Sequence, residues 1–283
     1  MIRDICDLHT HSTASDGTDS PRELIELAEE AGLYAVALTD HNTVGGLSEF
    51  LHCSAGLRVK AIPAVEFSTD YLDTELHIIA HGVRPESYSR ITEYVSQLGK
   101  RKIEANRELA QRLCDGGYKV DYEKIYRESS GIVNRVHFAA ALVEGGYVRD
   151  AKEAFSTLLS EEMGYYRRIK RLDAIETVDF IKDISAVATL AHPYLNLDDA
   201  GIRGFLSLAV PRGLDAMEVY YSTYTKEEEE LARRAARDFS LIESGGSDYH
   251  GSSKPDIKLG VGRGDLSVPR ESCERILERL GQL

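Results

Sequence analysis

The stretch Asp7-Leu8-His9-Thr10-His11-Ser12-Thr13-Ala14-Ser15-Asp16 decides how this chain folds. Its beginning continues a short apolar run from Ile2 to Leu8, which reads as a strand. Side chains alternate along a strand, so His9 and His11 point the same way and lie close enough to grip one cation. Asp16 follows a bend rich in Ser, Thr and Ala, which can return its carboxylate to the same place and add a hard oxygen donor to the imidazole nitrogens. A lone His-x-His fits an exposed strand end equally well. The rest of the chain must therefore supply further ligands.

Short apolar runs that end in ligand-type residues recur along the sequence. Ala35 to Leu38 leads to Asp40 and His41, Ala61 to Val65 leads to Glu66, and Leu76 to His81 contains His77. Val187 to Ala191 leads to His192, Ala216 to Val219 to Tyr220, and Leu241 to Ser244 to Asp248 and His250. With the first run these make seven expected strands. Chemistry carried at the C-terminal ends of successive parallel strands is the logic of β/α barrels. Ser20-Pro21-Arg22-Glu23 forms a capping box with proline at the first helical position, and Gly32 ends that helix, giving one clear βαβ unit. A second helix is expected between Thr43 and Gly56. His52 on it has no ligand-like neighbour and reads as a surface or packing residue.

From about Pro85 to Arg168 the strand signal gives way to helical periodicity, over Glu86 to Leu113, Val120 to Glu128, Val136 to Val143 and Asp150 to Leu159. The expected organisation is a barrel from residues 1–85 and 169–283 with a helical insertion over 86–168, which is too long for a simple crossover. Arg135 and His137, just after a Ser129-Ser130-Gly131 turn, and Tyr165, Tyr166, Arg167 and Arg168 where the chain re-enters the barrel are the insertion's notable residues, and each taken alone also fits a solvated helical face with snorkelling arginines. Lys226 to Phe239 runs from acidic to basic, as the helix dipole favours, and reads as a solvated outer helix. Gly260-Val-Gly-Arg-Gly264 lacks the Gly-Lys-Ser/Thr ending of a phosphate loop and reads as a turn.

Composition narrows the function. A chain of 283 residues with 42% hydrophobic and 29% charged residues has enough apolar surface for a large core and matches a soluble enzyme. The four cysteines are scattered without a Cys-x-x-Cys pair, which argues against a thiolate metal site and a disulfide framework. With no apolar run of roughly 18 residues and no basic-then-apolar leader, the expectation is a cytoplasmic protein off the membrane. A formal charge of -13 disfavours broad binding to long nucleic acid, whereas a small or short polyanion is compatible with a locally cationic metal pocket.

The collected candidates are His9, His11, Asp16, His41, Glu66, His77, His192, Asp248 and His250, which use six of the chain's nine histidines. Nine ligands exceed one mononuclear site and suit two or three divalent ions that share carboxylates. His9-x-His11, Thr39-Asp40-His41, Ala191-His192-Pro193 and Ser247-Asp248-Tyr249-His250 resemble the four motifs of the polymerase and histidinol phosphatase family, the PHP family. Asn134-Arg-Val-His137 and Ala139-Ala-Ala-Leu-Val-Glu-Gly-Gly146 resemble its branch of small bacterial phosphoesterases that hydrolyse nucleoside 3',5'-bisphosphates, some of which trim the 5' ends of short RNA.

The resemblance implies an α/β fold, a distorted seven-stranded (β/α)7 barrel with a helical insertion. It also implies three divalent metals, with Mn2+ favoured over Fe2+, Zn2+ or Mg2+. His9, His11, Glu66 and Asp248 would hold the first, Glu66, His77 and His192 the second, and Asp16, His41 and His250 the third. Asp40 is expected to orient a ligand histidine. Arg135, Arg167 and Arg168 are expected to bind a second phosphate, and His137 to donate a proton to the leaving oxygen. The expected reaction is attack of a metal-bridged hydroxide on a phosphomonoester of a small nucleotide, in which three divalent ions against three carboxylates leave a positive pocket suited to a dianion. The alternatives are a 5'-to-3' exonuclease on short RNA, an amidohydrolase, for which no strand-end lysine stands out, and a non-catalytic metal-binding scaffold.

Overall fold

The computed structural model describes residues 3–129, 133–168 and 170–282. The chain divides into two compact units, one of residues 1–95 and 171–283, the other of residues 96–170. The first unit opens with β1 (Ile5–Thr10), α1 (Pro21–Glu30), β2 (Ala35–Leu38), α2 (Leu47–Cys53), β3 (Lys60–Tyr71) and β4 (Thr74–His81). Helix α3 (Tyr88–Asp115) leads into the second unit, which continues with α4 (Tyr122–Glu128), α5 (Arg135–Glu144) and α6 (Ala151–Ser156). The first unit resumes with β5 (Leu172–Asp173), α7 (Ala174–Asp183), β6 (Val187–Ala191), α8 (Asp199–Ala209) and β7 (Leu214–Tyr221). It ends with α9 (Lys226–Asp238), β8 (Ile242–Gly246), β9 (Val268–Pro269) and α10 (Arg270–Arg279).

The strands form one sheet in the order β8-β7-β6-β4-β3-β2-β1-β9, with β5 beside β3. The segment after β8 pairs with β1, through Asp248 N–H to His9 O at 2.9 Å and His11 N–H to Tyr249 O at 2.8 Å. That pairing nearly closes a seven-stranded β/α barrel, with β5 and β9 as two-residue additions. Several helices begin where the sequence supplies caps: Ser20 and Glu23 cap α1 reciprocally, as Thr225 and Glu228 cap α9. Apolar residues of neighbouring strands, among them Leu8, Ala37, Ile62, Ala64, Ile79 and Ala216, pack into one buried core with Ile276 and Leu277 of α10.

Two features depart from a regular parallel barrel, and both serve the rim. Strand β4 runs antiparallel to both β3 and β6. It turns back from β3 through Leu72 and Asp73, at φ 46° and 64°, the backbone of a two-residue hairpin. His77 therefore reaches the rim from the first half of its strand, opposite Ser68, and not from a C-terminal strand end as the parallel scheme implies. The second feature lies in β1. Asp7 pairs with Val36 but Thr10 with Leu38, so β1 carries one extra residue. This bulge exchanges the two faces of the strand and turns His9 and His11 to the side of Ala37.

The second unit has its own core, in which Leu109, Leu113, Phe138, Leu142 and Leu159 are buried. Its helices α3 to α6 correspond to the four expected helical segments, and α6 ends earlier, at Ser156. Most of the Ser129-Ser130-Gly131 turn lies outside the described residues. The unit begins within α3 at residue 96, beyond the expected boundary at 86, because the first turns of that helix pack on the barrel. There Tyr94 stacks on Phe180 with ring centroids 4.0 Å apart.

Candidate metal centre

Glu66 is the hub of the barrel rim. Its Oε1 lies 2.8 Å from His77 Nδ1 and 3.1 Å from His192 Nε2. Its Oε2 lies 3.2 Å from His9 Nε2, 3.3 Å from His11 Nε2 and 3.1 Å from His41 Nδ1. Asp248 closes one side, with Oδ1 at 3.3 Å from His11 Nε2. Asp16, in the loop after β1, closes another, with its oxygens 3.3 Å from His250 Nε2 and 3.8 Å from His41 Nε2. All nine residues singled out in the sequence thus converge in the first unit. They form four overlapping groups: His11, Asp16, His41 and His250; His9, Glu66 and His192; His9, His11 and Asp248; and His41, Glu66 and His77.

Surrounding groups fix how these side chains point. Glu218 Oε1 accepts from His9 Nδ1 at 3.0 Å, which leaves the Nε2 lone pair facing the nest, and Glu218 Oε2 accepts from the backbone N–H of His192. His250 Nδ1 donates to the carbonyl of Asp248, so its Nε2 faces Asp16. Lys254 Nζ and Tyr221 OH both donate to Asp248 Oδ2 at 2.7 Å and leave Oδ1 to the histidines. His192 and Asp248 hold φ angles of 27° and 57°, strained values of a kind that collects at functional sites. Asp7 is buried and accepts from Ser247 N–H and Oγ–H and from Gly260 N–H, tying β1 to the loops that follow β8. The glycine-rich segment 260–264 is therefore a turn, as read from its sequence.

Glu218 and Asp7 escaped the sequence reading. The available signal was a carboxylate inside an otherwise apolar strand: Ala216-Met-Glu-Val219 reads as a buried strand, and a buried carboxylate needs partners.

The electrostatics show a site built for cations. Burial alone would raise the Glu66 carboxyl, but His9, His77 and His41 outweigh it and hold the group well below the usual carboxylate range. Burial opposes protonation of His77, yet Glu66 overcomes it and pushes the imidazole up to about 9. Burial dominates at His41, which is pushed down to about 4. Protons on some histidines stand in for positive charge that the carboxylates require. Even so, His11 Nδ1, His41 Nδ1 and Glu66 Oε2 are buried without a hydrogen bond. Converging lone pairs that find no hydrogen, on imidazole nitrogens and carboxylate oxygens, fit divalent cations of the transition series.

The remaining candidates fall elsewhere. Asp40 requires a correction: it does not orient a histidine. Its oxygens accept from Ser12 N–H at 2.8 Å, Ser12 Oγ–H at 2.6 Å and Ser15 Oγ–H at 2.6 Å, because the bend after β1 folds onto it before any ring can. The carboxylate thereby shapes the loop that carries Asp16. His81 stands apart from the nest. Its Nε2–H donates to Leu8 O and its Nδ1 accepts from Thr189 Oγ–H, both at 2.9 Å. In the second unit, His137 Nδ1 accepts from Asn134 N–H in a capping box, so a neutral ring carries its proton on Nε2. The Arg135 guanidinium stacks over Tyr166 at 4.3 Å from the ring centroid, and Arg167 donates to Tyr166 O. Arg168 lies in the segment that leads back to the barrel.

A barrel whose rim gathers six imidazoles and three carboxylates in this way defines a metal-dependent hydrolase. The PHP domain family matches residues 7–166, and the chain belongs to that family. It is 30% identical over 260 residues to the 5'-3' exoribonuclease Rnm of Escherichia coli, covering 90% of this chain and 88% of that protein. It is 30% identical to the phosphoribosyl 1,2-cyclic phosphate 1,2-diphosphodiesterase of Eggerthella lenta, covering 87% and 94%. It is 26% identical to the 3',5'-nucleoside bisphosphate phosphatase of Chromobacterium violaceum, covering 90% of each. A solved metal-dependent phosphoesterase from Bifidobacterium adolescentis superposes with a TM-score of 0.69 at 25% identity, covering 97% of this chain and 96% of that one. The protein is a metal-dependent phosphoesterase of the PHP family.

Proposed function

We propose that this phosphoesterase removes one phosphate from a small nucleotide, converting a nucleoside 3',5'-bisphosphate to a nucleoside 5'-monophosphate. The observation that carries the reading is the nest around Glu66, where one buried carboxylate touches five histidines. A donor set with three carboxylates would hold three divalent ions, Mn2+ first among them, and would keep net positive charge for a dianionic ester. His9, His11, Glu66 and Asp248 would hold one ion, Glu66, His77 and His192 a second, and Asp16, His41 and His250 a third. Bound there, the ions supply Lewis acidity toward phosphoryl oxygens and toward water.

The protein's own contribution is orientation. Glu218 keeps the proton of His9 on Nδ1, Lys254 and Tyr221 keep Oδ1 of Asp248 turned inward, and Asp40 sets the bend that delivers Asp16. Arg135, Arg167 and Arg168 are the proposed contacts for the second phosphate, and His137 is the proposed proton donor through Nε2, acting as the imidazolium once its Nδ1 has released Asn134 N–H and taken a proton of its own.

The test is one panel with Mn2+-loaded protein: adenosine 3',5'-bisphosphate, adenosine 3'-monophosphate, histidinol phosphate, a cyclic ribose phosphate and a short 5'-phosphorylated RNA. Fastest phosphate release from the bisphosphate is expected. Preference for the RNA, the chemistry named for the Escherichia coli relative, would replace this reading with the exonuclease one. No hydrolysis of any substrate, with metal demonstrably bound, would refute both.

A further inference from the structure

A cavity of about 330 Å3 lies in the first unit, with Asp248 among its lining residues. Asp248 is a shared wall. Its Oδ1 faces His11 Nε2 at 3.3 Å, whereas its Oδ2 meets Lys254 Nζ and Tyr221 OH, both of which line the cavity. The site described above uses Lys254 and Tyr221 only to hold that carboxylate. It leaves the cavity itself without a role.

The walls specify an occupant. Leu195, Tyr221, Pro255 and Ile257 give apolar faces, and Leu195 is about half exposed, an uncovered leucine at the mouth. Arg263, from the glycine-rich turn, is a lining residue that makes no hydrogen bond or ion pair among the described residues. A planar guanidinium with no carboxylate partner is suited to lie against a flat π-system. Asp256 and Thr223 add hydrogen-bonding groups at the edge. Flat apolar faces with a polar edge describe a nucleobase. The volume sits at the low end of the ~300–1,000 Å3 typical of small-molecule sites, which suits one base and excludes a run of them.

Position agrees with chemistry. In a nucleoside 3'-phosphate only the ribose separates the phosphate from the base, and here the cavity shares Asp248 with the nest and meets it again where Tyr221 lies against His192, ring centroids 5.2 Å apart. The remaining N–H groups of Lys254 stand at that junction, where ester and sugar oxygens would pass.

We propose that this cavity is the nucleobase subsite of the enzyme, so that the barrel itself, through the loop from Lys254 to Arg263, recognises the base of the substrate whose phosphate enters the nest. The inference rests on the nucleotide-phosphatase reading. Its test nevertheless uses binding, which separates the two.

Adenosine 5'-monophosphate and ribose 5-phosphate are titrated calorimetrically into the full-length protein, both metal-free in excess chelator and Mn2+-loaded. Wild type is expected to bind the nucleotide at least tenfold more tightly than the base-free sugar phosphate. Ile257→Trp, which fills the cavity, should erase that difference while leaving ribose 5-phosphate binding unchanged. Because Ile257 is buried, Leu195→Trp at an exposed lining position and Arg263→Ala at the surface serve as second variants against a failure of its replacement to fold, each checked by thermal melting. Either folded variant should lower nucleotide affinity at least fivefold. Equal binding of the two ligands by wild type, or unchanged nucleotide affinity in both folded surface variants, would overturn the subsite. Failure of the phosphatase reading shows instead in the hydrolysis panel, as absence of phosphate release from a protein that still binds the base.

Discussion

At the barrel rim His11, His41 and Glu66 each have a buried atom that finds no hydrogen bond, whereas in the helical unit Arg135, His137 and Arg167 are each absorbed by local structure. Arg135 lies on Tyr166, His137 caps α5, and Arg167 bonds the neighbouring carbonyl. Leaving buried polar groups unsatisfied costs several kcal/mol in sum, a cost that persists only if something else supplies the missing partners. Solvated arginines and a helix cap carry no such cost. The rim therefore announces a ligand by its own energetics, and the helical unit does not.

The sharpest way to break this contrast is Glu66→Gln. Losing the hub's charge removes a ligand shared by two proposed ions and leaves several imidazoles facing a neutral amide. Turnover should fall by roughly a thousandfold or more, about 4 kcal/mol of transition-state stabilisation, with metal content per chain falling in parallel. A variant with near-normal turnover and metal content would mean that the unsatisfied atoms at the rim are mere packing defects.

His81 supplies a control within the same barrel, because it is as deeply buried as the nest and fully hydrogen-bonded. Burial pushes it down to about 4 from an ordinary 6.5. The folded protein therefore refuses a proton that the unfolded chain accepts. This contribution to stability is complete above about pH 6.5, declines as pH falls through the window down to about 4, and is lost below it. The span corresponds to about 3 kcal/mol, roughly 300-fold in the folding equilibrium. Urea denaturation of metal-loaded wild type and His81→Gln across this window checks it, the variant being the less acid-sensitive of the two. Parallel pH profiles would show that His81 is not held neutral.

How much of this contrast was legible in the sequence depends on which physical signal each part leaves. Ligands at the ends of apolar runs were readable, because a barrel makes strand ends converge and places Asp248 and His9 together although 238 positions separate them. The reversal of β4 was not, since Leu72 and Asp73 lack the Asn-Gly or Asp-Gly signature of a tight hairpin. The bulge in β1 was equally hidden, as alternation assumes an unbroken register. Asp40 was misassigned because adjacency to His41 in sequence suggested a partnership that Ser12 and Ser15 pre-empt in space.

Glu218 tests whether orientation at the rim matters beyond ligation. Glu218→Gln keeps the shape of the side chain but lets His9 lose its fixed tautomer, since an amide can present either a donor or an acceptor to Nδ1. Metal affinity should drop roughly 10- to 100-fold, the usual range for such supporting carboxylates, with saturating metal restoring much of the activity. Competition with a chromogenic chelator reads the change. Unaltered affinity would confine Glu218 to holding the backbone of His192.

The smallest expected effect addresses the helical unit and separates two roles that coincide in one side chain. His137 occupies the third position of α5, where glutamine is a standard capping partner, and its ring accepts from Asn134 N–H. His137→Gln can keep that bond while removing a titratable proton, and His137→Ala loses both. If His137 donates a proton to the leaving oxygen, both variants should lower turnover about tenfold or more with little change in KM, since general acid catalysis typically contributes ~100-fold or more in full. The acidic group in the pH-rate profile should vanish in each. If the ring is only a cap, glutamine will restore turnover and the profile, and alanine will cost about 1 kcal/mol of local stability without touching the chemical step. The glutamine variant decides because it holds structure constant while changing chemistry, which alanine cannot do at a helix terminus.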